Sequence, residues 1–154
     1  MANELLHGQY IITSVADQEN LGVSIIVPLI FPPPPIPVIV LPEGVVPPKF
    51  TIEPVNGGNN TYVILVDKRN TRGQDERVFA FENEPAEEWV IIYREPQNAY
   101  TIERRGGPLG WTAPPREEPL PERQILLSPL IVRPSEPPQF LPSQLFRLTR
   151  VLLE

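Results

Sequence analysis

The stretch FTIEPVNGGNNTYVILV, residues 50–66, contains two segments of alternating apolar residues on either side of a turn-forming sequence. In the first segment Phe50 is followed two positions later by Ile52, and in the second Tyr62 is followed by Ile64. Successive side chains of a β-strand point to opposite faces, so each pair lies on one face of a strand and faces a core. The glycines and asparagines between the segments favour a tight connection. The stretch therefore predicts two core-facing strands joined by a turn.

An aromatic residue followed two positions later by Ile or Leu occurs six times along the chain. The pairs are Tyr10 with Ile12, Phe50 with Ile52, Tyr62 with Ile64, Trp89 with Ile91, Tyr100 with Ile102, and Phe146 with Leu148. Tyr opens the first, third and fifth pairs, and Phe or Trp opens the others, which indicates three degenerate repeats. Three units that each supply two barrel strands and a hairpin predict an all-β protein, a β-trefoil with a six-strand barrel and a hairpin cap. The C-terminal PSQLFRLTRVLLE, 142–154, is then the last strand.

Length and composition predict one domain, residues 1–154, with a single core. The 22 prolines are nearly three times the usual share of about 5%. Proline cannot donate a hydrogen bond in a central strand, so the proline-rich blocks at 28–48 and 108–142 are predicted to be ordered insertions between barrel strands of the first and third units. The absence of cysteine and of a visible secretory signal favours a cytoplasmic location.

Several function classes lack the residues that they need. A net charge of −6 argues against a nucleic-acid partner, because phosphate binding requires a basic surface. The uncharged run at 24–40 is too short for a membrane span and holds too many prolines. His7 is the one histidine, and it has neither a cysteine partner nor a serine in a nucleophile elbow. We therefore expect a monomeric protein that is not an enzyme and has no metal, cofactor or membrane partner.

The C-terminal third resembles a known family. GWTAP at 110–114 and QILLSPLIVRPSEPPQFLPSQLFRL at 124–148 are similar to mushroom serine protease inhibitors of the mycospin type. The likeness extends from GQYIITSV at 8–15 to the end and includes DERVFAF at 75–81. The resemblance implies a β-trefoil fold and a non-catalytic, intracellular defence protein that blocks a serine protease through a surface loop. In such inhibitors the loop after the second strand commonly places a basic residue in the primary pocket of the protease.

In this chain that loop is SIIVPLIFPPPPIPVIV, residues 24–40, which carries no charge. Proline restricts φ, so an extended segment rich in proline is preorganised for docking. The candidate protease-binding residues are Ile25, Ile26, Pro28, Leu29 and Ile30.

The basic residue of the family is absent here, because no Arg or Lys lies between Glu19 and Lys49. The basic position falls at Ile25, but Leu29 is the better occupant of an apolar primary pocket. Phe31 is poorer, because Pro32 would follow the scissile bond. The expected partner is therefore a chymotrypsin-, elastase- or subtilisin-like serine protease. In the alternative interpretation, this apolar run packs into the hairpin cap and PPPPIP forms a polyproline turn on the surface.

A second candidate loop is VDKRNTRGQDERV, residues 66–78, where Gly73 permits a sharp turn. Related mushroom cysteine-protease inhibitors of the same fold use the equivalent loop against trypsin or an asparagine-specific protease. The resemblance thus implies an alternative protease-binding site, with trypsin as a further partner, formed by Lys68, Arg69, Asn70 and Arg72. The alternative is a solvated loop of mixed charge.

Three other functions remain open: inhibition of cysteine-type proteases on the same fold, carbohydrate binding by a β-trefoil lectin, and binding of the proline-rich segments by a proline-reading domain. The lectin hypothesis lacks its usual motif, because neither Trp89 nor Trp111 has Gln two positions before it.

Overall fold

The computed structural model describes residues 5–24, 30–32, 34–55, 59–115 and 122–151. These residues form fifteen strands and two 3₁₀ turns, Glu95–Gln97 and Pro142–Gln144. The strands are β1 (Gly8–Ser14), β2 (Leu21–Val23), β3 (Ile36–Val40), β4 (Phe50–Pro54), β5 (Thr61–Val66), β6 (Arg69–Gln74), β7 (Arg77–Phe81), β8 (Trp89–Arg94), β9 (Ala99–Arg104), β10 (Leu109–Thr112), β11 (Arg123–Gln124), β12 (Leu126–Pro129), β13 (Val132–Arg133), β14 (Gln139–Phe140) and β15 (Phe146–Val151). No helix within the described ranges is long and apolar enough to cross a membrane.

Six of these strands form a closed barrel. Strand β1 pairs with β4, β4 with β5, β5 with β8, β8 with β9, β9 with β15, and β15 with β1, all antiparallel. The seam between β1 and β15 runs from Gln9 opposite Val151 to Ser14 opposite Phe146. These are the six strands that carry the aromatic pairs, so the all-β class and the barrel are as predicted.

The aromatic pairs face the barrel interior. Ten of the twelve side chains are at most 3% exposed, and the other two, Tyr100 and Leu148, pack against the same core. Alternation places every second residue of each strand inside, which is the pattern that the sequence indicated. Inside the core the Trp111 ring meets those of Trp89 and Phe146 edge to face, at centroid distances of 5.4 and 6.4 Å.

Three hairpins lie between the barrel strands along the chain. They are β2–β3, between β1 and β4; β6–β7, between β5 and β8; and β10–β12, between β9 and β15. Strand β7 also pairs with β3 and with β12, so the three hairpins are joined to one another. The proline-rich blocks fall in the first and third of these segments, and residues 28, 29, 33 and 116–121 of these blocks lie outside the described residues.

The prediction that residues 66–78 form a loop with a turn at Gly73 was wrong. The segment contains strand β6, and Gly73 lies within it opposite Val78 of β7. The turns are instead the two-residue connections 67–68 and 75–76, whose four non-glycine residues have φ between 51° and 63°. Two consecutive residues at positive φ match the twist of a hairpin, so no glycine is needed to reverse the chain.

Two tyrosine hydroxyls are hydrogen-bonded to the residues just before β1. The Leu5 N–H donates to the Tyr62 hydroxyl at 3.0 Å, and the Tyr10 hydroxyl donates to the Leu6 carbonyl at 2.7 Å. Burial raises the pKa of Tyr10 and of Tyr100 above its ordinary value, and the neighbouring Tyr93 raises the pKa of Tyr100 further.

We expect Trp89→Ala to lower the free energy of unfolding by about 3–5 kcal/mol, a cost typical of emptying a large aromatic site. Trp89 has no exposed surface, and its indole N–H donates to the Thr71 hydroxyl at 2.9 Å. Urea unfolding checks this value. Phe31→Ala is the matched control: its ring is 94% exposed, so it should change stability by less than about 0.5 kcal/mol. Equal losses in the two variants would contradict the proposed core.

We also expect stability to fall at alkaline pH. The folded protein keeps the Tyr10 and Tyr100 protons at a pH where the unfolded chain has released them, because both folded-state pKa values are raised. The stability that these groups contribute is complete below about pH 10 and is lost as the pH rises above it. Urea unfolding at increasing pH should show a smaller alkaline loss for Tyr100→Phe than for the wild type. If Tyr100→Phe loses as much unfolding free energy at alkaline pH as the wild type does, Tyr100 does not contribute to this pH dependence.

Candidate functional site

The connection between β2 and β3 begins and ends in buried structure. Ser24 is 3% exposed, and its N–H donates to the Pro37 carbonyl at 3.0 Å. Val23 lies opposite Val38 in the ladder, and Ile36 at the far end is 5% exposed. The loop therefore leaves and rejoins the fold at two adjacent, fixed points.

The middle of this loop is exposed where the structure describes it. Ile30 is 62% exposed and Phe31 is 94% exposed, so these two side chains do not pack into the cap. The other predicted site residues, Ile25, Ile26, Pro28 and Leu29, lie outside the described residues. Exposed apolar side chains beside a fixed base are suited to contact with a partner.

A third strand supports the loop base. Strand β11 pairs with β3, which places Arg123 opposite Val40. The neighbouring Glu122 carboxylate accepts a hydrogen bond of 2.6 Å from the Ser24 hydroxyl. The first residue of the loop is thus held by both its main chain and its side chain.

Arg123 joins this base to the β1–β2 connection. Its guanidinium is 10% exposed, donates to Glu19 at 2.9 Å and to the Pro114 carbonyl at 2.6 Å, and also pairs with Asp17. A buried cation between two carboxylates and a carbonyl has its donors satisfied, so it fixes three chain segments in one place.

The second candidate site has a different geometry. Lys68 is exposed, but it occupies a tight turn at φ 63°, whereas a residue in an inserted protease-binding segment is extended. Asn70 donates its amide to the Glu84 carbonyl at 2.9 Å. Arg69 pairs with Glu82 at 3.7 Å, and Arg72 donates to the Pro85 carbonyl at 2.7 Å. The structure brings these four residues together on β6 and the turn before it, where Arg69, Asn70 and Arg72 already contact residues 82–85.

Residues of other chemical classes are dispersed or paired. No group of three or more His, Cys, Asp and Glu side chains in the described ranges could hold a metal ion. His7 is largely exposed, 3.6 Å from Glu53. The Glu87 carboxylate accepts hydrogen bonds of 2.8 Å from Arg104 and from the Gly73 N–H, which gives this carboxylate a structural role.

Sequence reasoning missed two exposed apolar segments. Val45 and Val46 in the β3–β4 connection are 44% and 86% exposed. Ile131 and Val132, after β12, are 53% and 43% exposed. Both segments share one sequence signal, because proline follows each of them closely, at Pro47 and at Pro134.

Comparisons with known proteins identify one family and two similar structures. The family model Peptidase inhibitor I66 matches residues 3–150. A proteinase inhibitor from Coprinopsis cinerea is similar in structure, with a TM-score of 0.80 and 24% identity over 96% of this chain and 100% of that one. A Caenorhabditis elegans protein of unknown function matches with a TM-score of 0.65 and 8% identity, over 94% of each chain. No curated protein sequence matches the chain.

We expect Arg123→Ala to lower the free energy of unfolding by about 3–5 kcal/mol, because it leaves the partly buried Asp17 and Glu19 without their cation. Arg105→Ala is the matched control: this side chain is 64% exposed and pairs with Glu88 on the surface, so its loss should cost at most about 1 kcal/mol. Denaturant unfolding of both variants checks the difference. Similar values would show that the Arg123 cluster does not fix the loop base.

Proposed function

Because the family model matches nearly the whole chain, the chain belongs to the Peptidase inhibitor I66 family, and we propose that it inhibits serine endopeptidases through the loop between β2 and β3. The family is one of peptidase inhibitors and not of enzymes. The observation that carries the proposal is the contrast within this loop. Its ends are buried and hydrogen-bonded, whereas Ile30 and Phe31 are exposed.

We infer that the architecture behind this loop is a β-trefoil. Each third of the chain supplies a barrel strand, a hairpin and a second barrel strand. The six barrel strands close, and the three hairpins pair through β7. This order supports the threefold repeat that the alternating Tyr and Phe or Trp pairs predict.

Preorganisation is the physical advantage of such a loop. An inserted segment loses conformational entropy on docking, and this cost decreases when the segment is already restrained. Here the hydrogen bonds of Ser24 and the support of β11 fix the ends, and the prolines at 32–35 restrict φ on the C-terminal side. An interface of standard size, about 1,600 Å², can reach nanomolar affinity when its central anchor is well seated.

The side chains of the loop determine the target class. A trypsin-like pocket contains a buried acid and requires a cation, which residues 24–40 do not supply. We propose Leu29, which follows Pro28, as the residue that enters an apolar primary pocket. The targets are then chymotrypsin-, elastase- or subtilisin-like enzymes. Inhibition of trypsin, if it occurs, belongs to the basic residues of the 66–78 segment.

We expect Leu29→Ala to weaken inhibition of chymotrypsin by at least about thirtyfold, since the loss of a central anchor costs about 2 kcal/mol or more. Leu29→Arg should create trypsin inhibition, because the acid in that pocket would gain its cation. Inhibition constants against chymotrypsin, elastase and trypsin check both. Ile25→Ala tests the register: an effect there with none at Leu29 would move the anchor to Ile25.

Arg69→Ala combined with Arg72→Ala is the control for the second segment. The double variant removes two basic side chains and leaves residues 24–40 intact, so inhibition of chymotrypsin should not change. A loss of trypsin inhibition in this variant alone would assign trypsin to the 66–78 segment. If the wild-type protein inhibits chymotrypsin and all these variants have the same inhibition constants as the wild type, neither segment is the inhibitory site.

A further inference from the structure

The segment 131–140 between β12 and β15 is exposed over nine consecutive residues, 131–139. It contains the two-stranded ladder β13–β14, in which Val132 lies opposite Phe140 and Arg133 opposite Gln139. Among the described residues these two strands pair with no other strand. The segment therefore adds no side chain of residues 131–139 to the core.

A buried glutamine holds the first end of this hairpin. Gln144 is 1% exposed, and its Oε1 accepts the Ile131 N–H at 2.9 Å. Its Nε2 donates to the Pro129 carbonyl at 2.9 Å and to the Thr112 hydroxyl at 3.1 Å. Both the oxygen and the nitrogen of the Gln144 amide are hydrogen-bonded, so this side chain fixes the point where the chain leaves β12.

A second glutamine holds the other end. The Gln97 side chain donates to the Phe140 carbonyl at 2.9 Å and accepts from the Phe140 N–H at 3.2 Å. The Arg94 guanidinium lies 4.3 Å from the centroid of the Phe140 ring. Both groups come from the β8–β9 region of the barrel, so the exposed hairpin is fixed to the barrel at its base.

These anchors determine which main-chain groups of the hairpin are exposed. The N–H and C=O of Phe140 both face Gln97, so the opposing Val132 belongs to a pair without mutual hydrogen bonds. In an antiparallel ladder such a residue directs its N–H and C=O away from its partner strand. Val132 thus offers both main-chain groups at an open edge, beside a side chain that is 43% exposed.

We propose that the 131–140 hairpin is a second protease-docking element, in which Val132 enters the small apolar primary pocket of an elastase-like serine protease. The proposal rests on the proposed function, since it assigns a second contact to the same inhibitory activity. An extended segment docks by pairing its free edge with a strand of its partner, and side-chain pockets then select the residue. Val132 provides the free edge and the apolar side chain, and the Gln97 and Gln144 hydrogen bonds provide the rigid base.

The neighbouring residues are less suited to the pocket. If Arg133 occupied the pocket, Pro134 would be the first residue after the scissile bond, and proline has no main-chain N–H. The Ile131 N–H is already bonded to Gln144. Val132 has free main-chain groups, and the residue that follows it across the scissile bond is Arg133 and not proline.

The test measures inhibition constants against pancreatic elastase, chymotrypsin and trypsin. Val132→Asp should weaken inhibition of elastase by at least about thirtyfold, because a carboxylate would have to enter an apolar pocket. It should leave inhibition of chymotrypsin unchanged. Val132→Arg should create trypsin inhibition. Val46→Asp is the matched control, since it introduces the same charge at another exposed valine and should not affect elastase.

The Leu29→Asp background separates this proposal from the proposed function. Leu29→Asp should lose inhibition of chymotrypsin, and the elastase inhibition that remains in this variant should disappear when Val132→Asp is added. If Leu29→Asp alone abolishes inhibition of both enzymes, the β2–β3 loop is the one site and the hairpin proposal falls. Wild-type protein that inhibits chymotrypsin but not elastase would likewise overturn it and leave the proposed function intact. A dimer in sedimentation that Val132→Asp dissociates would show instead that the hairpin joins two copies of the chain.

Discussion

The edge-to-face contacts of Trp111 with Trp89 and Phe146 connect the two layers of this protein. Trp89 and Phe146 belong to barrel strands, whereas Trp111 belongs to the β10–β12 hairpin. All three rings have no exposed surface. Aromatic rings in this geometry add to the stabilisation from burial, so the position of this hairpin depends on the barrel interior. The hairpins in turn determine where the connecting segments emerge.

The strands of the barrel and hairpins form the hydrogen-bonded ladders of this fold, so the segments that connect them can contact a partner. Binding residues commonly lie on loops held by a rigid scaffold. In this chain the scaffold fixes the loop ends with side chains as well as strands: Ser24 and Glu122 at one loop, Gln97 and Gln144 at another. A peptidase inhibitor needs this combination, because its contact segment must be accessible yet resist rearrangement.

The sequence predicted the barrel well, because alternation over six strands is a strong and local signal. The last strand is confirmed over Phe146–Val151, whereas Pro142–Gln144 form a 3₁₀ turn, and the resemblance to peptidase inhibitors is confirmed by the family model. The 66–78 segment was misread because its turns use Asp-Lys and Asp-Glu in place of the glycine that usually marks positive φ. The 131–140 hairpin was missed as a candidate because its anchors, Gln97 and Gln144, are distant or unremarkable in sequence. The roles of Ile25 to Leu29, the target protease and the cytoplasmic location stay predictions.

The seam between β1 and β15 has a consequence for biosynthesis. Six residue pairs join these strands, which lie more than 130 positions apart. A nascent chain that is still missing β15 has two barrel strands, β1 and β9, without one of their neighbours. Contacts of such long range form slowly, because the entropy of closing the loop must be overcome first. The barrel therefore closes only after residue 151 has left the ribosome, and until then the unpaired edges of β1 and β9 are the kind of surface that promotes aggregation.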